Sequence, residues 1–142
     1  MSTFTTLQAV LDEALTALEA RKRPPPSAAF VTLNPVDDHL GEKSAGQLTV
    51  SSTGTEPTEG SEDLPCINAV TASVQVTLRR RVAVVDGQGR PPTIETQQSQ
   101  AEELLADFDA LRSLPGATGF HTIDPPAGGV AGVTVDIERL IT

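Results

Sequence analysis

Two histidines, one cysteine and a run of three arginines are the residues of this 142-residue chain with the most evident chemical capacity. His39 stands beside Asp37 and Asp38, and His121 lies close to Asp124. Two such groups could meet around a metal ion, but neither has the fixed ligand spacing of zinc or calcium sites, so solvated loop polarity is the better reading. Cys66 has no second cysteine to pair with, which fits a small buried hydrophobe in a reducing compartment. "DGQGRPP" (86–92) holds two glycines but lacks the Lys-Ser/Thr of a phosphate-binding loop. Glu102 and Glu103 are adjacent on a helical stretch and point in different directions, so they do not form a paired-carboxylate site. No serine sits in a nucleophile elbow. The residues therefore predict neither an enzyme nor a metal or cofactor site.

The arginines pose a different problem. They end the stretch "INAVTASVQVTLRRRVAVVDGQGRPPT" (67–93), in which Val70, Ala72, Val74, Val76, Leu78, Val82 and Val84 alternate with mostly polar residues. Such period-two alternation predicts a half-buried strand of some fifteen residues, roughly 50 Å long and longer than a small domain ordinarily builds. Alternation sends Arg79 and Arg81 to the polar face and Arg80 to the apolar one, where an unpartnered guanidinium would be very costly. Three readings stay open. A bulge resets the register near Arg80; or the strand has left its own core by that point; or Arg80 meets an acidic group, conceivably on another copy of the chain.

Composition narrows the classes. The chain is 38% hydrophobic but has four Phe, no Trp and no Tyr, so Val, Leu, Ile and Ala must build the core. Aromatic-lined pockets and base-stacking platforms are poorly supplied. A formal charge of −9 disfavours phosphate backbones, and with them a dedicated nucleic-acid binder. The first residues lack the basic start and cleavage site of a signal peptide, and no segment is long and apolar enough to span a membrane.

Around the long strand, apolar spacing from Phe4 through Leu7, Val10, Leu11, Ala14 and Leu15 to Leu18 predicts a helix. Thr5 and Gln8 are placed as its capping box, Arg21–Arg23 fall in its last turn, and "PPP" (24–26) stops it. "AAFVTLN" (28–34) and "GQLTVSST" (46–53) read as strands, with polar loops at 35–45 and 54–65. A second helix is predicted over about 93–114, with Ala101, Leu104, Leu105, Phe108 and Leu111 as its apolar stripe. After a Gly/Pro-rich link, "VTVDIERLI" sends Val133, Val135 and Ile137 inward as a last strand. The order α-β-β-β-α-β predicts one α+β domain: a mainly antiparallel sheet, two helices packed on one face, and a long strand or hairpin arm extending from the body.

The run from Pro65 to about Leu114, "PCINAVTASVQVTLRRRVAVVDGQGRPPT" followed by "QAEELLADFDALRSL", resembles neck and tail-completion proteins of long-tailed actinobacterial phages. The resemblance lies in a long alternating strand ending in basic and apolar residues, an acidic-Gly turn closing on Pro-Pro, and an Ala/Leu-rich helix. The element order also resembles the tail-terminator fold. Unlike many such proteins, this chain has no aromatic residue in the strand, and Val82, Ala83 and Val84 follow Arg81.

The resemblance implies a structural virion protein, made in the bacterial cytoplasm. It would form a homo-oligomeric, hexameric ring between the major tail-tube protein and the head connector or stopper. It implies no catalytic residues. Arg79, Arg80, Arg81, Val82, Val84, Asp86 and Arg90 become candidate subunit-interface residues. Glu56, Glu59, Glu62 and Asp63 become a candidate acidic loop facing the channel, past which double-stranded DNA slides without specific binding. A connector or stopper ring is the neighbouring alternative, and a small acidic intracellular protein-binding module is the alternative of another class. On this reading Val76→Asp unfolds the domain, whereas Arg80→Glu leaves the monomer folded and blocks assembly.

Overall fold

The computed structural model describes residues 2–33, 44–57, 70–83, 88–117, 121–127 and 129–141. The elements are α1 (Thr3–Ala20), β1 (Ala28–Val31), β2 (Gln47–Pro57), β3 (Val70–Arg81), α2 (Ile94–Arg112), β4 (His121–Ala127) and β5 (Val130–Ile141). The five strands form one mixed sheet in the order β1-β2-β3-β5-β4, and the fold is α+β as the sequence predicts.

α1 forms because Leu7, Val10, Leu11, Ala14 and Leu18 recur every three or four residues and all are buried. Its cap lies three residues before the expected one: Ser2 Oγ accepts from the Thr5 amide at 3.1 Å, and Phe4 is 59% exposed rather than part of the stripe. The helix also ends before the basic triplet. Arg21 is its C-cap, Lys22 takes a positive φ of 57°, and the amides of Lys22 and Arg23 close on the carbonyls of Glu19 and Leu18 at 2.9 Å. This is a Schellman closure with lysine where glycine is the usual occupant, so the chain has turned before the prolines are reached.

β3 is the centre of the sheet. It pairs antiparallel with β2 on one side and with β5 on the other, in register from Val70 to Arg81 against Ile141 to Val130. At twelve residues it is matched by β5 at twelve and β2 at eleven, so among the described residues no arm leaves the body along it. The alternation was long because all three central strands are long. Val82 and Ala83 lie beyond the strand, and Val84 and Asp86 fall outside the described residues.

Two strands depart from the sequence reading. β1 runs parallel to β2, whereas every other pairing is antiparallel. β4 occupies the predicted Gly/Pro-rich link; Pro125 and Pro126 are tolerated because β4 is an edge strand whose pairing shifts register between Asp124 and Ala127. β2 also runs on through Glu56, which had been expected in a loop and instead stands opposite Thr71, past a register shift between Ser52 and Gly54.

The core lies on one sheet face. Leu48 and Val50, Ala72 to Leu78 at alternate positions, and Val133, Val135 and Ile137 pack against α1 and α2. Side-chain pairs from Arg80 on β3 to α2 and from Arg139 on β5 to α1 place both helices on that face. The opposite face is polar. Thr49, Thr77, Thr134 and Thr122 stand in one row across four strands, with the Thr77 and Thr134 hydroxyls 3.3 Å apart. No described helix covers it.

Candidate functional site

The α2 residue that decides the site is one the apolar stripe passed over. Ala101 is exposed and Leu105 is 47% exposed; the line that faces the sheet runs through Leu104, Asp107, Ala110 and Leu111. Thr93 caps the helix by accepting from the Thr96 amide at 3.1 Å, and the chain then turns at Gly116 (φ 85°). That geometry delivers Asp107, 0% exposed, to the end of the sheet where β3 carries Arg80.

The carboxylate is fully engaged there. Arg80 Nε donates to Asp107 Oδ2 at 2.7 Å and Nη2 to Oδ1 at 3.2 Å, while Arg23 Nε donates to Oδ1 at 2.8 Å. Arg80 further donates through Nη1 to the Ala45 carbonyl at 2.6 Å and through Nη2 to the Pro24 carbonyl at 2.8 Å. One guanidinium thus joins β3, α2, the segment after α1 and the segment before β2. Its planar fork suits this task, because several donors are fixed in a single plane. Gly46 makes room for it. A Cβ there would stand 3.0 Å from the Arg79 carbonyl oxygen and 3.2 Å from Arg80 Nη1, at a φ of 142° that side chains rarely adopt.

Arg80 therefore answers to one of the three readings in an altered form. The register beside it is unbroken, so no bulge resets the strand, and its side chain is only 11% exposed, so the strand has not left the core. Its acidic partner exists but belongs to the same chain. The expected outcome for Arg80→Glu reverses accordingly: the change sets two carboxylates together inside the monomer.

As chemistry, the cluster holds structure. The only carboxylate accepts three hydrogen bonds from two guanidinium groups, leaving no free base or acid. Two arginines against one aspartate leave a net positive charge at this end of the sheet, and Arg23 Nη2 is buried without a hydrogen-bond partner.

The other expected site residues are scattered. Arg79 lies half-buried on the polar face opposite Gln47 and Gly132, Arg81 is exposed at the end of β3, and Arg90 is exposed ahead of α2. Val82 is half-buried and its amide donates to the Gly129 carbonyl at 2.9 Å. Glu56 is exposed on β2. Glu59, Glu62, Asp63, Asp37, Asp38, His39 and Cys66 fall outside the described residues. Among the described residues, no three metal-ligating side chains come together and no helix is long and apolar enough to cross a membrane. No protein-family model matches the chain, and its sequence matches no curated protein.

Proposed function

We propose that the chain is a ring-forming structural subunit of a phage neck or tail, with the tail terminator ahead of a connector or stopper ring as its position. The observation that carries this reading is the order of elements around the resembling segment: a helix, three strands and a second helix, with both helices on one face of a mainly antiparallel sheet. The resemblance implies the order α-β-β-β-α-β for terminators, and this chain has that order with β4 added before its last strand. The arginine–aspartate cluster, whose carboxylate is taken up by two guanidinium groups, adds support of a second kind, because its geometry favours a rigid body over catalysis.

In such a ring each subunit works mechanically. A head-to-tail contact, closed by rotation, caps the last ring of tail-tube protein and offers the opposite surface to the head connector. Acidic loop residues Glu59, Glu62 and Asp63 would line the passage and repel the phosphates of DNA.

Electron microscopy of the purified protein, alone and mixed with tail tubes, tests the reading. Closed rings or density capping one tube end are expected. Particles that stay monomeric and leave both tube ends bare would reject it.

A further inference from the structure

The end of α1 carries a groove of about 660 Å³ that the cluster does not fill. Leu15, Leu18, Pro25 and Pro26 wall it, and Glu19, Lys22 and Arg23 stand at its rim. Lys22 is exposed and has no ion-pair partner among the described residues. With Arg21 beside it and the net positive charge of the Arg23–Asp107–Arg80 cluster beneath, this is a basic apolar groove on a chain of charge −9.

Its complement is on the same molecule, facing away. Asp107 points into the cluster; two residues earlier, about 200° around the helix, Leu105 points outward and is 47% exposed. Glu102 and Asp109, three residues before and four after, share that outer surface. The outer line of α2 is thus an apolar side chain flanked by Glu102 on one side and the Asp109–Arg112 pair on the other, and the groove is an apolar wall whose rim carries two bases and Glu19. Because groove and ridge are different patches of the subunit, the contact they make between two copies is head-to-tail.

We propose that the groove receives the outer ridge of α2 from a second copy of the chain, seating Leu105 against Leu15, Pro25 and Pro26 and bringing Glu102 to Lys22. The inference rests on the ring reading and supplies it with a subunit contact. Desolvating the leucine provides the affinity, and the rim charges set the orientation and make association weaken with salt.

Sedimentation or mass photometry over a range of concentrations, in low and high salt, tests it with three variants. Leu105→Asp should weaken self-association at least tenfold and Lys22→Glu severalfold. The combined Lys22→Glu, Glu102→Lys chain should recover most of the loss in Lys22→Glu, because the charges are exchanged across the contact. All three positions are exposed or half-exposed, so thermal unfolding midpoints should stay near that of the parent, which separates a lost contact from a lost fold. Rings that form equally well from Leu105→Asp and Lys22→Glu would overturn the groove while leaving the ring reading intact. A parent protein that remains monomeric at every concentration and leaves tail tubes uncapped would overturn both.

Discussion

The helix-covered face of the sheet carries an arginine at each end, and the protein treats the two differently. Arg80 shares a row with Ala131, and Arg139 shares a row with Ala72, eight positions along β3 and about 26 Å away. Arg80 meets a carboxylate that is 0% exposed and ties four segments together. Arg139 meets Glu13 at 3.0 Å in a pair that is 20% and 40% exposed, and its Nε and Nη2 are buried without partners. Between them the face is wholly aliphatic, from Ala72 through Val74 and Val76 to Leu78. A charge on the core face is accommodated only at the ends, where a carboxylate from a covering helix can reach it, and Arg80, which also draws two loop carbonyls, is the better satisfied of the two.

Substitutions can break or sharpen this contrast. The largest effect is expected at the midpoint. Val76→Asp places a charge where every neighbour is apolar, and the domain should fail to show a cooperative unfolding transition. Next is Asp107→Ala, which strands two arginines in a buried site and should cost about 3–5 kcal/mol in denaturant unfolding. Arg80→Glu should cost a similar amount and lower the stability of the monomer itself. If Arg80→Glu instead melts like the parent, the cluster does not hold the fold.

Smaller effects follow. Gly46→Ala crowds Arg80 and strains the backbone, and a loss of about 1–3 kcal/mol is expected by the same measurement. At the other end, Glu13→Gln should change stability by no more than about 1 kcal/mol, since the pair is partly solvated. A cost as large as that of Asp107→Ala would erase the distinction between the two ends. Smallest is Lys22→Gly, which relieves a left-handed lysine and should raise stability by about 0.5–1 kcal/mol.

The sequence disclosed the helices and the three central strands because their apolar residues recur with period 3.6 or 2 and are buried as that pattern requires. It concealed β4, whose two prolines argue against a strand unless its edge position is known, and the parallel direction of β1, which only the sheet order reveals. Asp107 was hidden by its surroundings: Leu105 looked like part of the stripe that Leu104, Phe108 and Leu111 do form, and its partners Arg80 and Arg23 lie 27 and 84 residues away. One signal did point to it. An arginine on the apolar side of a strand demands a carboxylate, and Asp107 sits three residues from Leu104 and four from Leu111, on the buried line of the neighbouring helix.

The place of β5 in the sheet has a consequence for how the chain is made. β5 lies between β3 and β4 in the sheet, yet it follows β4 along the chain and ends 60 residues after β3 does. At ribosomal elongation rates that interval lasts about 3–12 s. During it, α1, β2 and β3 can come together, while the edge of β3 that β5 takes stays unpaired and Val133, Val135 and Ile137 are missing from the core. The nascent chain thus passes through a stage with an open strand edge in mid-sheet, and slow expression at low temperature should raise the yield of folded protein.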